Sequence, residues 1–221
     1  MSQPVSAPFE QCIVVAGAYR SGTAILSDVL VLLGGRKAQS CQSEGHGARR
    51  NAKAGADVAS LAAGLAGVGW DDWATRVSAP DPAAETALHQ YVSGLSRQET
   101  GVSNPAVLAE PQICRVIGPL DTALHKAAMS PAYLVMLRAP DEVALSLARQ
   151  DGFSRQYGVA LWTSYMLAVE RATRGMVRAF VSFDALLTDW RRQIDAAVSL
   201  TGLHLPDRGI ARAEAEVDAH L

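Results

Sequence analysis

The sequence predicts a three-layer α/β fold, in which a mostly parallel central sheet carries helices on both faces. Three short, mainly apolar runs, at 12–16, 132–137 and 177–183, predict strands, and the first of them is rich in β-branched residues. Segments with helical spacing separate these runs, and parallel strands need such crossover connections. Hydrophobic residues make up 49% of the 221 residues, which is enough for one core. We therefore expect a single domain over 1–221.

The first predicted strand, 12–16, is followed by a turn with two glycines and then by a helix over about 25–33 that ends at Gly34. Residues 36–56 are polar, basic and without period, and they predict a long loop. The remaining predicted helices lie at 57–66, 82–95, 119–128 and 157–174, with another that begins at Pro140 and a last one from Asp189 to Leu200. A short strand is predicted at 106–109.

Composition argues against several classes of protein. The formal net charge is −2, whereas a general nucleic-acid binder is usually basic, so we expect no nucleic-acid partner. Three cysteines without C-x-x-C spacing (Cys12, Cys41 and Cys114) predict neither a disulfide framework nor a zinc ribbon. No apolar run approaches the roughly 20 residues that span a bilayer, and the N-terminus lacks the pattern of a signal peptide. These features predict a cytoplasmic protein with no membrane span.

The turn between the first strand and helix has the pattern Gly17-x-x-x-x-Gly22. In this position, backbone N–H groups and the positive end of a helix bind phosphate. A nucleoside triphosphatase would continue with lysine, but Thr23 follows here and the cation is Arg20. An arginine at the positive end of a helix is unfavourable unless an anion binds there. The turn therefore predicts an anion site that is not of the ATPase type.

A second phosphate site is predicted around the strand at 132–137. Arg138 follows the carboxyl end of this strand, and Ser146 lies about two turns into the next helix. Together these two side chains can give one phosphate a charge-assisted hydrogen bond and a hydroxyl contact.

Residues 19–23, Tyr-Arg-Ser-Gly-Thr, resemble the 5′-phosphosulfate loop of sulfotransferases, whose donor is 3′-phosphoadenosine 5′-phosphosulfate (PAPS). Residues 134–146 resemble the 3′-phosphate segment of that family. Three further stretches, 149–153, 160–165 and 180–190, are similar to the C-terminal half of small bacterial carbohydrate sulfotransferases. The resemblance covers 12–35 and about 105–205. It implies a fold of the P-loop nucleoside-phosphate-binding type, with 36–104 as the variable acceptor and lid region.

The resemblance also implies an activity and its residues. The chain would move a sulfuryl group from PAPS, without a metal, to a hydroxyl or amine of a small-molecule, carbohydrate or lipid acceptor. The implied donor residues are Tyr19, Arg20, Ser21, Gly22, Thr23, Ala24, Arg138 and Ser146. Arg20 would also stabilise the charge that develops on the leaving phosphate.

The acceptor needs a general base, for which the sequence offers several candidates. Family members often carry Lys-Asp-Pro-Arg after a short strand, where this chain has Ala-Glu-Pro-Gln with Glu110 as the acid. His46 has a suitable ordinary pKa and lies in the long basic loop, which we predict to close as a lid. His46, Glu44 and Glu110 are therefore the candidate bases. Two other classes stay open, a small-molecule kinase-like P-loop enzyme and a non-catalytic nucleotide-binding protein.

Overall fold

The computed structural model describes residues 10–38, 58–73, 82–96 and 104–221 of the chain. Its centre is a five-stranded sheet in which every neighbouring pair of strands is parallel. The strands are β1 (Glu10–Ala16), β2 (Arg36–Lys37), β3 (Ala106–Ala109), β4 (Met129–Leu137) and β5 (Arg178–Ser182). Their order across the sheet is β2-β3-β1-β4-β5.

Helices connect these strands along the chain. They are α1 (Thr23–Leu32), α2 (Val58–Ala66), α3 (Pro82–Ser96), α4 (Ile117–Lys126), α5 (Pro140–Asp151), α6 (Arg155–Ala172), α7 (Phe183–Thr188), α8 (Trp190–Thr201) and α9 (Ala211–His220), with a short 3-10 helix at Pro111–Arg115. None of these helices has both the length and the apolar character needed to cross a membrane.

Helices cover the sheet on both faces. Successive side chains of a strand point to opposite sides of the sheet, so a strand in the middle of the sheet contributes to a hydrophobic cluster on each face. Cys12 and Val14 of β1 lie in a hydrophobic cluster with α2 to α6. Ile13 and Val15 lie in a second cluster with α1, α7, α8 and α9. All four side chains are fully buried. The predicted three-layer α/β architecture is confirmed.

The three strongest predicted strands are neighbours, since β1 pairs with β4 along seven residues and β4 pairs with β5. The predicted third strand, 177–183, was too long at its end. The Ser182 hydroxyl accepts a hydrogen bond from the Ala185 N–H at 3.4 Å and caps α7. Phe183 is therefore the first residue of a helix.

The prediction of one continuous loop over 36–56 was wrong at its start. Residues 36 and 37 form the edge strand β2, and the Arg36 N–H donates to the Pro105 carbonyl at 2.8 Å. The Arg36 guanidinium pairs with Glu10 at 2.6 Å, and Lys37 pairs with Asp28 at 3.4 Å. These two cations are thus held on the sheet rather than in a basic lid. The rest of the predicted lid lies outside the described residues.

Candidate functional site

The turn between β1 and α1, residues 17–22, has a strained backbone. Gly22 has a φ of +94° and Arg20 a φ of +64°. A positive φ is uncommon for a residue other than glycine, and Arg20 and Ala128 are the two described residues of this kind. Ser21 holds the turn closed, because its N–H and its hydroxyl both donate to the Ala18 carbonyl, at 3.1 and 2.6 Å.

The first glycine of the turn packs directly against the core. A Cβ atom at Gly17 would lie 2.8 Å from the Ser21 hydroxyl and 3.1 Å from the Met136 carbonyl, so a side chain does not fit. The Gly17 N–H donates to the Cys114 sulfur at 3.2 Å, and the thiol donates back to the Gly17 carbonyl at 3.4 Å. Burial raises the pKa of the Cys114 thiol to about 12, so the thiol remains protonated and able to donate.

A cavity of about 450 Å³ lies beside this turn, at the carboxyl ends of β1 and β4. This volume is within the usual range for small-molecule sites, about 300–1,000 Å³. Its lining includes Arg20 from the turn, Arg138 from the end of β4, and Glu142, Ser146 and Arg149 from α5. The cavity is outside the carboxyl ends of adjacent parallel strands, where ligands of open α/β sheets bind.

Direct hydrogen bonds join the two segments that the sequence predicts as separate phosphate sites. The Arg20 Nε atom donates to the Ser146 hydroxyl at 2.9 Å. The Arg138 Nη1 atom donates to the Arg20 carbonyl at 3.0 Å, which fixes the strained peptide of the turn. Arg20, Arg138 and Ser146 therefore line one cavity, and Arg20 is hydrogen-bonded to both of the others.

Arg138 is held by two further contacts. Its Nε atom donates to the Glu142 carboxylate at 2.9 Å, and its guanidinium carbon lies 4.2 Å from the centre of the Phe183 ring. The Arg138 side chain is 24% exposed. These contacts occupy Nε and one position on Nη1, while Nη2 has no described partner.

The cavity concentrates positive charge in a chain whose formal net charge is −2. Among the described residues, three arginines line it and Glu142 supplies the single carboxylate. Arg149 makes no hydrogen bond or ion pair with any residue that the structure describes. Grouped guanidinium groups repel one another, and an anionic ligand removes this repulsion. The electrostatics of the cavity therefore suit a ligand with several negative charges.

Tyr19 lies on the other side of the turn and contacts a different set of side chains. Its hydroxyl donates to Glu110 at 3.2 Å and accepts from the Gln112 amide at 3.1 Å. Its ring packs against Trp70, with ring centres 4.7 Å apart. The Glu110 carboxylate also accepts from the Gln112 N–H at 3.4 Å and caps the 3-10 helix. Glu110 is thus close to the turn, but its described contacts are structural.

Side chains from other elements hold the segment that carries Trp70. In residues 69–72, four successive carbonyls accept hydrogen bonds from Arg115, Tyr165, Tyr157 and again Arg115. The Arg115 guanidinium also lies over the Tyr165 ring, 4.4 Å from its centre. Tyr165 is fully buried, and burial raises the pKa of its hydroxyl. Tyr165 is therefore a core residue.

Only some of the predicted donor residues line the cavity. Arg20, Arg138 and Ser146 line the cavity, whereas the Ser21 hydroxyl is buried and bonded to Ala18. Thr23 is also buried, and Ala24 is exposed in the first turn of α1. His46 and Glu44 lie outside the described residues.

The sequence analysis missed Arg149 and Phe183. Arg149 could have been found, because it lies one helical turn after Ser146 on the same face of α5. In the described ranges, no group of three or more histidine, cysteine, aspartate or glutamate side chains could hold a metal ion.

No protein-family model matches the chain, and no curated protein matches it in sequence. Several solved structures are similar. The sulfotransferase STF9 from Mycobacterium avium has a TM-score of 0.60 and 14% identity, over 97% of this chain and 69% of that one. The sulfotransferase domain of the olefin synthase from Synechococcus PCC 7002 has a TM-score of 0.55 and 15% identity, over 91% and 76%.

A third similar structure is the sulfotransferase domain from the curacin biosynthetic pathway, with a TM-score of 0.50 and 13% identity, over 91% of this chain and 77% of that one. At such identities the similarity concerns the path of the backbone and not the side chains of the site. The five parallel strands, the turn after β1 and the surrounding helices together have the α/β fold of sulfotransferases.

Proposed function

We propose that this chain is a sulfotransferase, which moves a sulfuryl group from PAPS to a hydroxyl or amine of a small-molecule, carbohydrate or lipid acceptor. The observation that carries the proposal is the single cavity where Arg20 of the turn meets Arg138 and Ser146. The sulfotransferase-like fold supports it. Residues 1–221 form one domain in this proposal, and 36–104 supplies the acceptor contacts.

The 5′ side of the donor binds at the turn and the start of α1. The first N–H groups of a helix have no partner within the helix, and the helix dipole is positive there. In α1 these groups belong to residues 23–25, because the Leu26 N–H, which donates to the Gly22 carbonyl, is the first with a partner in the helix. They bind the 5′-phosphate, and Arg20 adds a full positive charge.

The 3′-phosphate binds between Arg138 and Ser146. The Nη2 atom of Arg138 is available to it, and the Ser146 hydroxyl donates to it while still accepting from Arg20. A phosphate monoester carries close to two negative charges at neutral pH, and the excess of arginine in the cavity matches this charge.

The transfer step itself is an in-line displacement. A bond forms between the acceptor oxygen or nitrogen and sulfur while the bond from sulfur to the 5′-phosphate oxygen breaks. The leaving electron pair stays on that oxygen, where Arg20 and the N–H groups of α1 stabilise it, and adenosine 3′,5′-bisphosphate is the product. The acceptor proton goes to a general base. The chemistry is mainly positioning and charge stabilisation, as in phosphoryl transfer.

His46 and Glu110 are the proposed candidates for that base. Glu110 already accepts from Tyr19 and caps the 3-10 helix, so its change to glutamine keeps the shape but removes the charge. If His46 is the base, His46→Ala lowers kcat about 100-fold and leaves donor affinity nearly unchanged. If Glu110 is the base, Glu110→Gln has this effect instead.

The experiment that tests the proposal is calorimetry followed by a transfer assay. The wild type should bind adenosine 3′,5′-bisphosphate much more tightly than ATP, because the cavity offers a 3′-phosphate site and the turn lacks the lysine of a triphosphatase. Equal affinity for ATP would contradict the donor assignment. Tight binding without sulfuryl transfer to any of a panel of sugars, phenols and amines would favour the non-catalytic nucleotide-binding alternative.

A further inference from the structure

Phe183 contacts the turn at Gly22 and the Arg138 side chain, although it does not itself line the cavity. It begins α7, directly after the carboxyl end of β5, and its ring is partly buried against the cluster that contains α1 and α8. β5 is the neighbour of β4, so this ring lies next to the strand end that carries Arg138.

The first contact of the ring is with the turn. A Cβ atom placed on Gly22 would lie 2.4 Å from Cδ2 of Phe183, well inside van der Waals distance. The ring thus occupies the space that a side chain at Gly22 would need. It packs against the peptide that leads from Arg20 into the first turn of α1.

The second contact is with Arg138, whose guanidinium lies 4.2 Å above the centre of the ring. Such a cation–π contact favours one orientation of the guanidinium plane. In that orientation Arg138 reaches the Arg20 carbonyl with Nη1 and Glu142 with Nε. A single ring therefore fixes the second glycine of the turn and the arginine at the end of β4.

We propose that Phe183 is a positioning residue that holds the turn and Arg138 in the arrangement that recognises a nucleotide with phosphates at both the 3′ and 5′ positions. The inference rests on the proposed donor site. Phe183 acts on the ligand through Arg138 and through the backbone at Gly22. The flat face of the ring orients Arg138, and the bulk of the ring supports the turn.

A series of variants separates these two effects. Phe183→Tyr keeps the ring and its bulk, Phe183→Leu keeps most of the bulk without the π face, and Phe183→Ala removes both. Calorimetry should compare adenosine 3′,5′-bisphosphate with adenosine 5′-phosphate. The matched control is Phe180→Leu, because Phe180 has a similar contact with Arg178, at 5.1 Å, and does not line the cavity.

Phe183→Leu should weaken binding of the bisphosphate about 5-fold and leave the 5′-phosphate within about 2-fold, since a cation–π contact has an effect of this size. Phe183→Ala should weaken both ligands, and Phe183→Tyr and Phe180→Leu should match the wild type. Equal loss of both ligands in Phe183→Leu would overturn the role through Arg138, because a lost contact to the base affects both ligands alike. Failure of Phe183→Tyr to restore binding would overturn it as well.

A measurement without ligand tests the contact between Phe183 and the turn separately from the donor assignment. The Ser21 N–H is hydrogen-bonded inside the turn, and its hydrogen exchange reports how firmly the turn is held. Phe183→Ala should speed this exchange about 10-fold or more, while Phe180→Ala should not change it. Failure of the wild type to bind the bisphosphate would contradict the proposed function. Unchanged hydrogen exchange at Ser21 in Phe183→Ala would instead show that Phe183 does not position the turn.

Discussion

Tyr19 and Arg20 are neighbours in the chain but have opposite surroundings. The Tyr19 hydroxyl is bonded to Glu110 and Gln112, and its ring packs against two other aromatic rings, Trp70 and Tyr165. Arg20 lines a cavity with Arg138 and Arg149, and the described contact of its side chain is with the neutral Ser146 hydroxyl. The Tyr19 hydroxyl is thus hydrogen-bonded within the protein, whereas the cavity beside Arg20 carries positive charge that its lining residues do not balance.

This difference separates structural from ligand-facing roles within one motif. On the Tyr19 side, the Tyr19 hydroxyl bonds to Glu110 and Gln112 within the fold, so a substitution there should change stability first. On the Arg20 side, removal of a cation costs the fold little and costs an anionic ligand more. The sequence motif predicts donor binding for both residues, and their different roles follow only from their contacts in the structure.

The largest expected effect is on the Arg20 side. Arg138→Ala should weaken binding of adenosine 3′,5′-bisphosphate by about 2–3 kcal/mol, roughly 30- to 150-fold, as is typical for lost charged hydrogen bonds. Isothermal calorimetry measures this. Arg155→Ala is the control, because Arg155 pairs with Asp141 at the surface and does not line the cavity. Equal affinity of the Arg138 variant and the wild type would remove Arg138 from the site.

The next largest effect concerns stability on the Tyr19 side, where Cys114 holds the first glycine of the turn. Burial raises the pKa values of the Cys114 and Cys12 thiols from 9.0 to about 12. Such thiols stabilise the fold fully below pH 9, and this stabilisation is lost as the pH rises from 9 toward 12. The free energy of unfolding should therefore fall by about 2 kcal/mol between pH 9 and 10 for the two thiols together.

Denaturant unfolding at several pH values measures this slope. Cys114→Ala should lower stability at every pH, because a packed side chain and its hydrogen bonds are lost, but it should make the decline between pH 9 and 10 shallower. An unchanged slope in this variant would mean that the Cys114 thiol ionises equally in the folded and unfolded chain.

Tyr19→Phe tests whether the Tyr19 side has a structural role, since it removes only the hydroxyl that bonds to Glu110 and Gln112. It should destabilise the fold by about 1 kcal/mol, the usual value for a buried hydrogen bond, and leave affinity for the bisphosphate within about 2-fold. Thermal unfolding and calorimetry on the same sample measure the two quantities. The opposite pattern, with stability kept and affinity lost tenfold, would place Tyr19 on the ligand side.

Arg149→Ala is expected to give the smallest effect, because Arg149 is exposed and solvent screens its charge. Affinity for the bisphosphate should fall about 3- to 5-fold at low salt, and the difference should shrink as salt is added. Arg171→Ala, at an exposed position of α6 outside the cavity, is the control. If the two variants bind alike at low salt, Arg149 makes no contribution to the site.

Parts of the fold with strong local patterns could be predicted from sequence. β1 and β4 are buried on both faces and therefore appear as near-continuous apolar runs, whereas β5 lies at the sheet edge with Phe180 exposed. Polar β2 has no such pattern, and it exists because Arg36 and the residue after it pair with the backbone of β3. The start of α7 was missed because Phe183 continues a strand-like composition, although Ser182 caps the helix.

The candidate site shows the same division. The spacing of Gly17 and Gly22 identifies the turn, since both positions exclude a Cβ atom. The contact between Arg20 and Ser146 could not be predicted, because it depends on where α5 packs relative to β1. The position of the Phe183 ring against Gly22 depends in the same way on the pairing of β4 with β5. Contacts between distant segments decide which side of the turn is available to a ligand.

The most direct test of the proposed donor site is a crystal structure of the protein with adenosine 3′,5′-bisphosphate bound. We expect the 5′-phosphate at the first N–H groups of α1 and the 3′-phosphate within hydrogen-bond distance of Arg138 and Ser146, with the Tyr19 hydroxyl still bonded to Glu110. A bisphosphate whose phosphates contact neither Arg20 nor Arg138, or one bound on the Tyr19 side of the turn, would contradict it.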